Sequence, residues 1–338
     1  MTPYPAVPMP TVDSSYRRPW WLPTGHLQSI YAQLLPRPSL PYRRERLELP
    51  DGDFVDLDWC DADGDGPTLV FFHGLEGSSQ SQYCLHTMRA AQRRGWSGVV
   101  AHFRGCSGEP NRLLRSYHSG DSEHCSLVLG ALRARFPRRT LFAVGVSLGG
   151  NALTKWCGER GRAAGEYVAA AASVSSPLDL GVAAEAILHA RNRVFNRYFM
   201  RAMGANFARR LELHPSLADR SELKRPRDFP HFDELYTAPV HGYTSAWDYY
   251  RRASSRGYLA DIRVPFLLLN AANDPFVPAW LFPKPREVSD WVYLEQPEDG
   301  GHVGFVTGPF PGRLDWLPER LCRFFQSTLQ ATAEGIGP

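Results

Sequence analysis

The 338-residue chain is notable first for what it lacks. Its six cysteines, Cys60, Cys84, Cys106, Cys125, Cys157 and Cys322, are scattered and include no C-x-x-C pair. That speaks against a zinc site and a disulfide scaffold, and it predicts free thiols in a reducing compartment. No stretch approaches the roughly 18 apolar residues of a membrane span. The opening MTPYPAVPMP is rich in proline and has neither a charged n-region nor an apolar h-region, so no signal peptide and a cytoplasmic location are expected. There is no long basic run, and the net charge of +3 is too small for a dedicated nucleic-acid binder. No internal repeat is present, and no low-complexity segment beyond the proline-rich start.

What remains is the composition of an ordinary globular protein, 43% hydrophobic and 22% charged, long enough for one large α/β domain or two smaller ones. Residues 1–42 read as an irregular arm with a short helix near 25–34. Trp20, Trp21 and the HLQSI segment are expected to pack this arm onto the domain, with His26 structural. In RERLELPDGDFVDLDW, Leu47 and Leu49, then Val55, Leu57 and Trp59, alternate with charges around Pro50-Asp51-Gly52-Asp53, which predicts a hairpin. From residue 67 the runs TLVFF (68–72), SGVVAHF (97–103), TLFAVGV (140–146), VAAAASV (168–174), PFLLLNA (265–271) and VYLEQ (292–296) alternate with helical periods. Continuous apolar strands separated by helices predict an α/β fold: a mostly parallel central sheet covered by helices on both faces, with the antiparallel N-terminal hairpin as one edge.

The alternation breaks at 181–260, which reads as a helical insertion capping the sheet's carboxyl edge, where open α/β sheets bind ligands. The expected division is therefore an arm at 1–42, a core at 43–180 and 261–330, and a cap at 181–260. Between 181 and 230 there are ten Lys and Arg against five Asp and Glu, with Phe195, Tyr198, Phe199, Met203 and Phe207 interleaved. The plain expectation is an amphipathic cap helix with a solvated face. The sharper one is a lid that attracts anionic or lipid-like substrates or touches a membrane surface.

Gly145-Val146-Ser147-Leu148-Gly149 is a G-x-S-x-G pattern between a predicted strand and a predicted helix, the setting in which such a serine is a nucleophile. A phosphate loop is rejected, because Asn151 and Ala152 stand where Lys and Ser or Thr would be needed. Phe72-His73-Gly74-Leu75-Glu76-Gly77 follows the first parallel strand. Its Leu75 N–H, together with that of Leu148, is assigned to an oxyanion hole, and His73 is expected to be structural. His302, in the glycine-flanked Gly300-Gly301-His302-Val303-Gly304, is the expected base. Asp274, past PFLLLN and before Pro275, is the expected orienting acid, with Asp179 the alternative. Arg104 and Asp121 are expected to support loops, and Cys106 lacks the tight strand-to-helix turn of a nucleophile.

With GHLQSIYAQLLPR, LELPDGDFVDLDW, FFHGLEGSSQSQY, GVVAHFRGCSGEPNRLLRSYHSGD, AVGVSLGGN, VPFLLLNAANDPF and GGHVGF, the chain resembles the YheT-like α/β-hydrolases, the AB hydrolase-4 family, from about Pro19 to Phe325. The resemblance implies an α/β-hydrolase fold and a serine hydrolase with esterase or lipase-like activity on carboxylic esters. Ser147, Asp274 and His302 fall on the family's triad positions. An acyl-enzyme on Ser147 is expected, with no cofactor and no metal. The expected partner is a small-molecule or lipid-like ester, not nucleic acid, without stable membrane insertion but with peripheral contact open. Two other readings stand beside this one: an acyltransferase that uses an alcohol acceptor, and a non-catalytic binding protein on the same fold.

Overall fold

A computed structural model describes residues 11–333; the first ten residues of the arm, with the proline-rich start, lie outside the described residues. The hairpin gives β1 (Arg43–Glu48) and β2 (Phe54–Cys60), and each of the six apolar runs becomes a strand, all but the first trimmed at its ends: β3 (Thr68–Phe72), β4 (Ser97–Ala101), β5 (Leu141–Val146), β6 (Ala170–Val174), β7 (Phe266–Leu269) and β8 (Val292–Glu295). They form one sheet in the order β1-β2-β4-β3-β5-β6-β7-β8. β1 and β2 pair antiparallel, as do β2 and β4, and every other pairing is parallel. Successive side chains leave a strand on opposite faces, so both faces of each parallel strand must be covered. On β3, Val70 and Phe72 pack with α3 (Ser122–Arg135) and α4 (Leu148–Arg160) through Val128, Leu129, Leu153 and Trp156. Leu69 and Phe71 face the other way, in a cluster with Met88 of α2 (Gln82–Gln92) and with Leu321, Phe324 and Phe325 of the C-terminal helix.

The hairpin departs from a half-buried pattern in one respect. β1 alternates in exposure, but every residue of β2 is buried, including Asp56 and Asp58. The register explains it: Arg46 lies directly opposite Asp56 and Arg44 opposite Asp58, and each arginine closes a two-bond bridge onto its carboxylate.

The arm runs along the opposite edge of the sheet. Val12 N–H donates to the Leu294 carbonyl (2.8 Å), which caps the free edge of β8. Thr24 caps α1 (Gly25–Leu34) by accepting from Leu27 N–H. Trp21 packs against Tyr31 and Phe310. Trp20, expected to pack as well, is 86% exposed. The turn closed by Leu22 N–H on the Pro19 carbonyl directs neighbouring side chains apart: Pro19, Trp21 and Leu22 face the domain while Trp20 points out.

Between β6 and β7 the chain forms α5 (Leu180–Leu188), α6 (Arg193–Leu213), α7 (Phe229–Phe232), α8 (Ala238–Val240) and α9 (Ala246–Ala253). These helices make their own small apolar clusters, Leu180, Ala184, Tyr249 and Tyr250 in one and Met203, Phe207, Phe232 and Tyr236 in the other. α10 (Trp316–Ala333) follows β8 and returns beneath the sheet.

Candidate active site

Ser147 sits between β5 and α4 with φ 54° and ψ −119°, a conformation an L-residue adopts only where its surroundings hold it. The two flanking glycines make that possible. A Cβ on Gly145 would overlap the backbone of Gly149 and Gly150, and one on Gly149 would overlap the Phe72 and His73 carbonyls. The turn therefore presses α4 onto the loop after β3 and leaves the Ser147 hydroxyl facing outward.

The carboxyl ends of β5, β7 and β8 bring three distant residues together. His302 Nε2 lies 3.0 Å from Ser147 Oγ, and His302 Nδ1 lies 2.8 Å from Asp274 Oδ2. Asp274 is held in turn: its Oδ1 accepts from Phe276 N–H (2.8 Å) and Val277 N–H (3.2 Å), and its side chain is fully buried. Asp179 is elsewhere, capping α5 by accepting from Val182 N–H. Arg104 ties the loop after β4 to the hairpin turn through Asp51 and Asp53, and Asp121 caps α3.

Leu75 and Leu148 both line the cavity that opens above Ser147. Leu148 supplies the first N–H of α4, a donor that the helix itself leaves unpaired and that carries the positive end of the helix dipole. Around Leu75 the neighbouring groups are all occupied: Gly74 N–H donates to Tyr83 Oη (3.0 Å), and Glu76 N–H donates to Tyr117 Oη (2.9 Å). The Gly74 carbonyl accepts from His73 Nδ1 (2.7 Å) and from Gly77 N–H (3.0 Å). In a trans peptide the carbonyl and the next N–H point to opposite sides, so this lock turns Leu75 N–H away from His73. Among the described residues, neither Leu75 N–H nor Leu148 N–H donates to another protein group.

The state of His73 follows from its contacts. Phe103 N–H donates to its Nε2 (3.1 Å), so the ring proton is on Nδ1, where it serves Gly74. Complete burial, helped by the neighbouring His102, lowers its pKa to about 3 and keeps it neutral. The sequence singles out His73 as structural, and here it is buried and bonded within its loop; Tyr83 and Tyr117 carry no signal that would have joined them to it.

The cavity measures about 160 Å³. Ile187 of α5 and Met203 and Phe207 of α6 form part of its apolar wall, while Arg193, Arg197 and Arg201 stand on the exposed side of α6. The same exposed side also carries Val194 and Tyr198. Among the described residues no group of three His, Cys, Asp or Glu side chains could hold a metal ion, and no helix is long and apolar enough to cross a membrane. All six cysteines are free thiols.

The alpha/beta hydrolase fold family matches residues 67–309, and the chain belongs to that family. Within it the chain is YheT-like: it is 42% identical over 313 residues to YheT of Escherichia coli strain K12, an esterase by name, across 90% of this chain and 91% of that one. It is also 31% identical over 283 residues to a monoacylglycerol lipase of Saccharomyces cerevisiae, across 80% of this chain and 62% of the yeast protein. The Pyrococcus furiosus esterase Pf2001 shares the fold, with a TM-score of 0.55 at 16% identity over 95% of this chain and 97% of its own.

Proposed function

We propose that the protein is a serine hydrolase of carboxylic esters that works through an acyl-enzyme on Ser147. Ester hydrolysis is the activity its esterase and lipase relatives carry by name. The observation that carries the finer reading is the unbroken chain from Ser147 Oγ through His302 to buried Asp274. In this reading His302 Nε2 takes the hydroxyl proton as Ser147 Oγ attacks the ester carbonyl, and Asp274 stabilises the imidazolium that forms. The carbonyl oxygen gains negative charge and is met by the Leu75 and Leu148 N–H groups, which need no rearrangement. Collapse of the tetrahedral species releases the alcohol, which takes its proton from His302. Water then gives a proton to His302 and attacks the acyl carbon, and as the second tetrahedral species collapses His302 returns that proton to Ser147 Oγ and the acid leaves.

The helices at 181–260 act in this proposal as a cap whose inner face receives the acyl chain, in a protein of the cytoplasm. The apolar cavity of about 160 Å³ beside Ser147 is where that chain would lie.

The test is labelling with a fluorophosphonate, with the labelled peptide mapped, beside hydrolysis of a ladder of p-nitrophenyl esters. Wild type is expected to label at Ser147 and to hydrolyse the esters, with the chain-length profile sizing the pocket, and Ser147→Ala is expected to lose both activities. Labelling at another residue, or folded wild-type protein that does not label, would overturn the triad.

A further inference from the structure

The GHLQS segment of the arm has no part in the chemistry above, yet it lies against the loop that carries the base. Ser29 of α1 is buried, and its Oγ accepts the backbone N–H of His302 itself at 2.8 Å while donating to the Gly25 carbonyl at 2.6 Å. Beside it Gln28 is fully buried, and both ends of its amide are engaged. Gln28 Oε1 accepts from Gly300 N–H (2.7 Å) and from Asn273 Nδ2 (3.1 Å). Its Nε2 donates to the Leu22 carbonyl (2.9 Å) and to Asp299 Oδ1 (3.3 Å). Asn273, next to the acid, completes the network by accepting Gly301 N–H at 2.9 Å and donating to Asp299 at 2.8 Å. The three N–H groups of Gly300, Gly301 and His302 thus all end on side chains, two on α1 and one on the acid loop.

Packing says the same. A Cβ on Gly301 would overlap the Gly25 carbonyl and Ser29, one on Gly304 would overlap the Gln28 carbonyl, and one on Gly25 would overlap the Asn273 carbonyl. Helix and loop touch backbone to backbone, so the loop cannot shift without displacing α1. The acid loop is tied to the same helix by a second route: His26 Nε2 meets Asn192 Oδ1 at 2.8 Å, and Asn192 Nδ2 donates to the Pro275 carbonyl at 2.7 Å. A buried polar network of this kind, with every member satisfied, specifies one arrangement.

We infer that α1 is a positioning element of the active site, in which Ser29 and Gln28 hold the loop that aims His302 at Ser147. The inference rests on the catalytic reading above. Neither residue touches substrate; they act through the backbone of the base.

The experiment compares full-length wild type, Ser29→Ala, Ser29→Thr and a control, Val128→Ala, which weakens a core cluster that includes neither α1 nor the loop of His302. Each is measured for fluorophosphonate labelling rate, kcat, KM and thermal midpoint. A misaimed base slows chemistry without altering the cavity. Ser29→Ala is therefore expected to lower kcat and the labelling rate roughly tenfold to a hundredfold with KM within about twofold. Ser29→Thr keeps the hydroxyl and is expected to restore most of the rate. Val128→Ala, brought to the same fraction folded, is expected to keep the wild-type rate. If Ser29→Ala folds too poorly to assay, Asn273→Ala frees the Gly301 N–H from the other side and is expected to show the same split. Wild-type rates in the position-29 or position-273 variants, or a loss matched by Val128→Ala, would overturn the inference and leave the triad standing. A wild type that does not label at Ser147 would overturn both.

Discussion

At the scale of single residues, the site combines one strained position with several satisfied ones. Ser147 holds a positive φ because the two glycines beside it let α4 and the loop after β3 close on it. His73 does quieter work by turning the Gly74–Leu75 peptide, and that role is testable. His73→Phe keeps a ring but can neither donate to the Gly74 carbonyl nor accept from Phe103 N–H. With Leu75 N–H no longer aimed, kcat is expected to fall roughly tenfold to a hundredfold with KM little changed, read by steady-state kinetics on a short p-nitrophenyl ester. An unchanged kcat would mean that Leu75 is not an oxyanion donor. Ser147, His302 and Asp274 stood out in the sequence as candidates because each sits in a short local pattern tied to a strand end, and the structure brings the three together. Ser29, Gln28 and Tyr83 did not stand out, because their roles depend on which loops meet in space.

At the scale of elements, the strands were readable because burial on both faces demands continuous apolar runs, and β3 to β8 have them. β2 was harder, since its aspartates resemble a solvated face until the register with β1 is known. Asp56 has no exposed side-chain surface and depends on Arg46. Hydrogen bonds, those from Arg46 first among them, more than offset the cost of burial and hold the Asp56 carboxyl below its ordinary value. Arg46→Ala leaves that buried carboxylate without its two-bond partner, and is expected to destabilise the fold by about 1–3 kcal/mol in urea denaturation. Arg112→Ala removes an arginine paired with Glu48 at the surface and is expected to leave the midpoint nearly unchanged. Equal effects from the two would refute the register argument.

The whole molecule carries a pH signature. His73, His118 and His124 are buried, and desolvation lowers their pKa values to about 3, about 3 and about 4. The unfolded chain protonates these rings below about 6.5, whereas the native state does not, so unfolding takes up protons between the two ranges. Stability is therefore complete above about pH 6.5 and falls as the pH drops towards 4. At its steepest the loss is up to about 4 kcal/mol per pH unit for the three together. Denaturation from pH 8 to 4.5 is expected to give a plateau and then this decline. A flat profile down to pH 5 would mean that the histidines are solvated or paired.

The sequence by itself determined the alternation of strands and helices, and it singled out Ser147, Asp274 and His302 as candidates that the folded chain brings within hydrogen-bond distance of one another. Those features are local: periodicity, glycine spacing and the order of motifs along the chain are all written within a few residues. Tertiary structure decided that Trp20 stays in solvent while Trp21 packs, that Asp56 and Asp58 are buried, and that an N-terminal helix more than 270 positions away grips the loop of the base. Each of those depends on the sheet order and on contacts across chain separations at which single-sequence patterns carry no signal. Hydrogen bonds between such distant segments form only once the core has closed around them.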